Sequence, residues 1–151
     1  MKFKKICAIL DVLNLRGVKL MSRILARETV FKLTFELCFH KPEDSCYYEE
    51  FLKDNNFDEE NLAFIKTFYE GIVAHFDELK DIVSKNIKGY TLDRLFKVDL
   101  AILIMVAYEL KFYKENPVKI VANEAVELAK KFSTEKSYSF INGVIASIAK
   151  N

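Results

Sequence analysis

Apolar residues recur every three or four positions along most of this chain, which is the spacing that places them on one face of an α-helix. The pattern is clearest from Pro117 to Ile148, where two such stripes are separated by a short polar break at Ser133 and Thr134. So short a connection favours two helices that bury their stripes against each other. The pattern therefore predicts a helical hairpin in this part of the chain.

Two details of this hairpin depend on individual residues. Asn116 and Pro117 are typical of a helix start, because Asn can accept hydrogen bonds from the first free amides and Pro has no amide to satisfy. Gly143 lies inside the second helix, where it costs about 1 kcal/mol relative to Ala. A glycine at such a position indicates the close approach of another backbone or of a ligand.

Two apolar stripes run along the helix that is predicted from Ser22 to about Phe39. The first consists of Ala26, Val30, Leu33 and Leu37, and the second of Ile24, Phe31, Phe35 and Phe39. Arg23, Arg27 and Thr34 lie along the seam between the stripes. A helix with two apolar faces either packs between two layers or keeps one face for a partner protein.

The middle of the chain predicts four more helices, at about residues 47–54, 58–75, 77–89 and 98–112. The last of these is apolar on nearly all sides but too short to span a membrane, so we expect it to be a buried central helix. Asp99 near its start suits the helix dipole, whereas Glu109 lies among apolar residues and should need a partner. The sequence thus predicts an all-α fold in one compact domain.

Composition and charge narrow the class of function. The chain is 51% hydrophobic with four Gly and two Pro, which is ample for a helical core. Its 23 Lys and Arg nearly balance its 22 Asp and Glu. Residues 46–78, however, carry nine acidic residues against two lysines, whereas lysines outnumber acidic residues from Val118 onward. A nucleic acid should therefore avoid the middle of the chain and favour its two ends.

No motif of a catalytic or cofactor-binding site is present. The chain has no phosphate-binding glycine loop, no dinucleotide fingerprint, no HExxH and no nucleophile elbow. Cys38, His40 and Cys46 match no zinc-ligand spacing, and three cysteines do not make a disulfide framework. We therefore expect a cytoplasmic binding protein that is not an enzyme and holds no metal or cofactor.

Residues 1–20 form a separate segment by their composition. A basic start and an apolar run give them the look of a signal peptide, but Asp11 and Asn14 interrupt the run and no cleavage site follows. Arg16 and Gly17 can be encoded by a purine-rich stretch, at a suitable distance for a ribosome-binding site before Met21. We interpret residues 1–20 as an N-terminal extension of translated leader, and residues 21–151 as the helical domain.

Three stretches resemble the NusB family of transcription antitermination proteins. They are SRILARETVFKLTFE, DLAILIMVAYEL and NEAVELAKKFSTEKSYSFINGVIASI, and the resemblance covers essentially all of residues 22–150. It implies an all-α fold of two three-helix subdomains that binds single-stranded boxA RNA of ribosomal RNA transcripts. It also implies a heterodimer with NusE, a small-subunit ribosomal protein, and read-through of terminators by the RNA polymerase antitermination complex.

Matching positions give the site residues that the resemblance implies. The RNA contacts would be Arg23, Arg27, Ser137, Phe140 and Asn142, with Lys130 and Lys136 adding positive charge beside them. The NusE contacts would be Phe35, Asp93 and Asp99. Ile24 and Leu25 stand near positions where the family usually has arginines, so RNA binding by this protein alone should be weak. Phe140 could equally be a core residue, and the two arginines could be solvated charges at a helix end.

Two other functions stay open at this point. The two-faced first helix would also suit a scaffold that binds only protein. The chain could instead be a stand-alone relative of the accessory RNA-binding domain of ribosomal RNA cytosine methyltransferases. The oligomeric state of the free protein, including a homodimer, also stays open, and no membrane association is expected.

Overall fold

The structure, a computed structural model, describes residues 23–41, 47–54 and 56–151. Residues 23–37 form helix α1. The other helices are α2 (Tyr47–Asp54), α3 (Glu59–Ala74), α4 (Phe76–Asn86), α5 (Lys97–Tyr108), α6 (Val118–Phe132) and α7 (Glu135–Lys150). The described ranges contain no β-strand, so the predicted all-α fold is confirmed. The predictions for residues 1–20, for the cap Ser22 and for Cys46 lie outside the described residues.

Helix α5 is the centre of the fold, as its uniformly apolar sequence predicts. Every residue from Asp99 to Tyr108 is buried, and α5 packs against α3, α4, α6 and α7. Full burial of each large aliphatic side chain contributes about 1.5–3 kcal/mol, so this helix supplies a large part of the core. None of the helices in the described ranges is both long and apolar enough to cross a membrane.

The predicted hairpin of α6 and α7 is also confirmed. The two helices pack against each other, and both pack against α5. Their buried stripes consist of Val121, Ala125, Leu128 and Ala129 on α6 and of Ile141, Val144, Ile145 and Ile148 on α7. The hairpin therefore presents its two polar faces outward from the central helix.

Helix α1 buries one stripe completely and the other only in part. Ala26, Val30, Leu33 and Leu37 are buried. On the second stripe, Phe31 is buried and stacks on Phe132 of α6, with ring centroids 4.9 Å apart. Phe35 is half-buried, and Ile24 and Phe39 are exposed. The second apolar face is thus partly left open to solvent.

The end of α5 differs from the predicted regular helix. The predicted helix runs to Phe112, but the α-helical part ends at Tyr108 and a π-helical turn follows at Glu109–Tyr113. The turn closes with a hydrogen bond from Lys114 N–H to the Glu109 carbonyl, and Lys114 has a left-handed φ of 49°. Wider turns of this kind redirect side chains, and this one holds Glu109 inside the protein.

Two sequence predictions about helix ends are wrong in detail. Asn116 does not cap α6, whose N-cap is Pro117 without a side-chain hydrogen bond. The Asn116 side chain is instead directed towards Glu109, since its Nδ2 donates to Glu109 Oε1 at 2.9 Å. Helix α4, which is predicted to end at about Gly89, ends at Asn86 with Ile87 as its extended C-cap, so Gly89 lies beyond the helix. Gly89 nevertheless has φ of 78°, which requires glycine in the turn that follows.

The packing explanation of Gly143 is wrong as well. Gly143 is exposed, and a Cβ placed on it would have no atom within 4 Å. The glycine that does mediate close packing is Gly71 on α3, where a Cβ would overlap the ring of Tyr108 from α5.

Candidate nucleic-acid interface

A surface groove of about 700 Å³ lies between the start of α5 and the start of α7. We name it the α5–α7 groove. It is lined by Tyr90, Arg94, Leu95, Phe96, Asp99, Thr134, Glu135, Lys136, Ser137 and Phe140. The segment before α5 and the first turns of α7 therefore place three aromatic rings and two cationic side chains around one concave surface.

The outer part of this groove is aromatic and basic. Phe96 is 68% exposed and Tyr90 is 58% exposed. The Tyr90 ring meets the half-buried Phe140 ring edge-on, with centroids 5.9 Å apart. Lys136 is exposed on the same side of α7. Rings beside cations suit a single-stranded nucleic acid, because bases stack on the rings and phosphates pair with the cations.

A buried carboxylate holds the floor of the groove. Asp99 is 4% exposed and accepts hydrogen bonds from Ser133 Oγ at 2.6 Å and from Ser137 Oγ at 2.8 Å. Thr134 Oγ1 adds a contact of 3.2 Å to Ser137 Oγ. Ser133 and Thr134 lie between α6 and α7 and Ser137 lies in the first turn of α7, so the bonds to Asp99 fix this corner of the hairpin to the start of α5.

This network gives two predicted contact residues a structural role. Asp99 is expected to contact NusE and Ser137 to contact RNA, yet both side chains are buried and hydrogen-bonded to each other. Direct contacts by these two side chains stay predictions. In the structure, these bonds orient the first turn of α7, which carries Lys136 and leads to Phe140.

Arg27 lies elsewhere, in a buried ion pair. Its Nη1 is 2.7 Å from Glu109 Oε2 and its Nη2 is 3.0 Å from Glu109 Oε1, while its Nε is 3.6 Å from Glu124 Oε2. Burial alone would lower the pKa of Arg27, but the hydrogen bonds and charge of Glu109, together with Glu124, hold that pKa above its usual value. The guanidinium is therefore not a solvated charge at a helix end.

Arg23 is more accessible but also lies away from the α5–α7 groove. Its guanidinium sits 4.2 Å from the centroid of the Phe64 ring and 3.4 Å from Glu60 Oε1. Arg23, Arg27 and Phe64 line a smaller cavity of about 360 Å³ beside the start of α6. Arg27 pairs with Glu124, which lies in the middle of α6. The groove begins beyond the end of α6, eight residues or about 12 Å of helix further along. The two arginines thus line a different cavity from the groove that Phe140 lines.

Two further predicted RNA contacts are exposed but do not line the α5–α7 groove. Lys130 pairs with Glu127 across one turn of α6, at 3.2 Å. Asn142 lies on the exposed side of α7 next to Gly143. Their roles in RNA binding stay predictions.

The predicted partner residues gather near the same end of the molecule as the groove. The half-buried Phe35 ring meets the Phe39 ring edge-on at 5.0 Å, and Phe39 is 54% exposed. Asp93 is exposed in the 3₁₀ turn Leu92–Arg94 immediately before the groove. The second half of α1 and the start of α5 both lie against the end of α6, since Phe31 stacks on Phe132 and Asp99 accepts a hydrogen bond from Ser133 Oγ.

The groove contains residues that the sequence reasoning missed. Tyr90, Arg94 and Phe96 lie between α4 and α5, where no helical period marks a buried or exposed face. The sequence did contain one signal. Tyr90 and Phe96 are large aromatic residues in a connecting segment, where they belong to no apolar helix stripe, and such residues are candidates for an exposed binding surface.

Comparisons with known proteins agree with this architecture. The model of the NusB family matches residues 21–150. The transcription antitermination protein NusB of Finegoldia magna is 38% identical over 130 residues, which cover 86% of this chain and 95% of that protein. The NusB protein of Agathobacter rectalis is 38% identical over 131 residues, covering 85% of this chain and all of that protein.

Solved structures show the same fold. T. maritima NusB superimposes with a TM-score of 0.76 at 30% identity, covering 85% of this chain and 91% of the other. A chain in the crystal structure of the antitermination factors NusB and NusE in complex with dsRNA gives a TM-score of 0.74 at 28% identity, covering 86% and 97%. With both its sequence and its fold matched over most of its length, the chain belongs to the NusB family of transcription antitermination proteins.

Proposed function

We propose that this protein binds the boxA element of ribosomal RNA transcripts as a single strand, together with NusE, and so helps RNA polymerase to read through terminators. The observation that carries the proposal is the α5–α7 groove, where Tyr90, Phe96 and Phe140 lie beside Arg94 and Lys136. The protein acts by binding, as a cytoplasmic factor without catalysis or a cofactor.

Stacking supplies the first part of the binding free energy. A base stacked on an aromatic ring contributes about 1–3 kcal/mol and does so for any base. Tyr90 and Phe96 are each more than half exposed, so their ring surfaces are available to a strand in the groove. Phe140 packs against the hydrophobic core while also lining the groove, and it therefore supports both a core role and a stacking role.

Charge supplies the second part, and it is modest. Arg94 and Lys136 can pair with phosphates, but Glu135 lines the same groove and opposes them. Ile24 and Leu25, which stand near positions where the family usually has arginines, are exposed and add no charge. These features support weak, salt-dependent RNA binding by the protein alone, with a partner needed for tight binding.

The partner would occupy the apolar surface beside the groove. Phe39 is more than half exposed and does not line the groove, and exposed aromatic residues are typical anchors of protein interfaces. Phe35 lies beneath Phe39, and Asp93 adds a negative charge that suits a basic partner. The similar chain that was solved in a complex of NusB, NusE and dsRNA supports NusE as the partner and RNA as a ligand.

Equilibrium binding of labelled boxA RNA, with and without NusE and at two salt concentrations, tests the proposal. NusE should tighten binding, added salt should weaken it, and an RNA of the same length with altered boxA bases should bind less well. Absence of RNA binding even with NusE would contradict the proposal and leave a scaffold that binds only protein.

A matched pair of variants separates the two surfaces. Phe39→Ala should weaken NusE binding and leave RNA binding by the protein alone unchanged. Arg94→Ala should weaken RNA binding and reduce its dependence on salt. If both variants weakened only NusE binding, the groove would belong to the protein interface.

A further inference from the structure

A second groove, of about 690 Å³, adjoins the first at Lys136 and Phe140. We name it the α4–α7 groove. It is lined by Asn86, Lys88, Lys136, Ser139, Phe140, Gly143, Val144, Ala146, Ser147 and Lys150. Lys136 and Phe140 line both grooves, so the two surfaces meet at the Tyr90–Phe140 ring pair.

The charge of the α4–α7 groove has one sign. Its lining includes Lys88, Lys136 and Lys150 and no carboxylate. All three lysines are exposed, and no described Asp or Glu forms an ion pair with them. Elsewhere on this protein, lysines such as Lys85 and Lys131 are paired with carboxylates. Three unpaired cations along one groove favour a polyanionic ligand.

The floor of this groove is fixed and open. Ser147 Oγ donates to Asn86 Oδ1 at 2.7 Å, which ties the end of α4 to α7. Asn86 Nδ2 in turn donates to the Ile82 carbonyl at 2.7 Å. Gly143 lies midway along the floor with no atom within 4 Å of a Cβ built on it. A glycine that weakens its helix without serving internal packing leaves room for a ligand to approach the helix backbone.

The groove runs along one face of α7, with a lysine at each end. Lys136, Phe140, Gly143, Ser147 and Lys150 recur at intervals of three and four residues. The span from Lys136 to Lys150 is about 21 Å at the rise of an α-helix. A single nucleic-acid strand that leaves the first groove at Lys136 could therefore follow this face to the end of the helix.

We propose that the α4–α7 groove binds the continuation of the same single-stranded RNA, with its phosphates on Lys136, Lys88 and Lys150. This inference rests on the proposed function, because it takes the RNA in the α5–α7 groove as its starting point. It extends the RNA footprint from the α5–α7 groove past the Tyr90–Phe140 ring pair into the α4–α7 groove. The added contacts depend on phosphate charge rather than base sequence, so they accept any sequence that flanks the core element.

Binding of RNAs of two lengths tests the proposal. A core boxA RNA is compared with RNAs extended by about six nucleotides on the 5′ or the 3′ side, a length within the footprints of single-strand grooves. One of the two extensions should tighten binding to the full-length protein with NusE by about tenfold. Lys88→Ala/Lys150→Ala should abolish that gain and leave the affinity for the core RNA unchanged. For the extended RNA, the loss of two phosphate contacts should lower the salt slope by about 1.4.

The control is Lys53→Ala/Lys66→Ala, which removes two exposed lysines from α2 and α3 and should retain the full gain. If neither extension tightens binding, or if the gain survives in Lys88→Ala/Lys150→Ala, the inference is overturned while the proposed function stands. If the core RNA itself does not bind, the proposed function fails and the inference fails with it. Weaker binding of NusE in the absence of RNA to Lys88→Ala/Lys150→Ala would assign the groove to protein and also overturn the inference.

Discussion

Arg27 of α1 and Glu109 at the end of α5 are joined by two parallel hydrogen bonds, of 2.7 and 3.0 Å, inside the protein. Glu109 is 2% exposed and also accepts from Asn116 Nδ2 at 2.9 Å. The pair thus ties α1 to the π-helical turn and to the loop before α6. An RNA contact by Arg27 would compete with these bonds, and Arg27→Ala would leave a carboxylate buried without its cation.

Removing one member of this pair should destabilise the protein strongly. Glu109→Ala removes both hydrogen bonds of the buried Arg27 guanidinium and leaves it only the half-exposed Glu124 at 3.6 Å, at a cost of about 3–5 kcal/mol. Chemical denaturation gives the free energy of unfolding that checks this value. Glu124→Ala is the control, since Glu124 is 38% exposed and 3.6 Å from Arg27, and it should cost less than about 1 kcal/mol. The double variant Arg27→Met/Glu109→Leu should recover most of the loss, and equal losses in all three variants would contradict the account.

Ser137 and Lys136 are neighbours in sequence, but replacing them with alanine should affect different properties: stability for Ser137 and RNA affinity for Lys136. Ser137→Ala removes a hydrogen bond to the buried Asp99 carboxylate and should lower the free energy of unfolding by about 1.5–3 kcal/mol. Lys136→Ala removes an exposed side chain and should leave stability within about 0.5 kcal/mol. RNA affinity should instead fall in Lys136→Ala. A large loss of stability in Lys136→Ala, with none in Ser137→Ala, would show that the two roles have been exchanged.

Two glycines in helices should respond to alanine with opposite signs. Gly71→Ala places a methyl group against the buried Tyr108 ring and should destabilise the fold by about 1–3 kcal/mol. Gly143→Ala meets open space and should stabilise it by about 0.5–1 kcal/mol through higher helix propensity. Thermal unfolding of both variants measures the two changes in melting temperature. Changes of the same sign in the two variants would contradict the prediction.

The Cys38 thiol should be slow to react. Burial raises its pKa to about 11, although the charges of Lys97 and Lys80 act in the opposite direction. At pH 8 its thiolate fraction should be lower than that of an unfolded cysteine by on the order of a hundredfold. Because folding favours the protonated thiol, its contribution to stability should be complete below the ordinary pKa of cysteine and should be lost as pH rises towards 11.

Thiol-labelling rates measured from pH 7 to 11 check this prediction. The experiment uses Cys7→Ser/Cys46→Ser, so that Cys38 is the one thiol of the chain. Equal labelling rates in the folded protein and in urea at pH 8 would contradict it. A second control, Cys38→Ser, should lose less stability between pH 9 and 11 than a chain that retains the thiol.

The sequence was sufficient for what depends on local periodicity and burial. The apolar run from Leu100 to Ala107 predicted the central helix, and the need of Glu109 for a partner was correctly expected. That partner, Arg27, is 82 residues away in sequence, and a helical stripe does not say which other helix it meets. The same limit applies to Gly71 and Tyr108, whose contact depends on how α3 crosses α5.

Competition between local and tertiary bonds explains the errors. Asn116 is well placed in sequence to cap α6, but its Nδ2 donates to the buried Glu109 carboxylate, and this charge-assisted bond fixes the side chain in a direction that does not cap the helix. The lack of a helix stripe marks Tyr90 and Phe96 as unusual, but it does not say which surface they line, because the segment between α4 and α5 has no period to separate an inner face from an outer one. The shape of the α5–α7 groove depends on how the hairpin packs on α5, which the local sequence pattern does not specify.

The most direct test of the RNA site is the affinity of labelled boxA RNA, in the presence of NusE, for Lys136→Ala/Phe140→Leu. Leucine keeps apolar volume at the half-buried position 140 but removes the ring, and unfolding measurements confirm that the variant remains folded. We expect RNA binding to be weaker by about 2 kcal/mol or more, with a smaller salt slope. An affinity and salt slope equal to those of the wild type in a folded variant would contradict it.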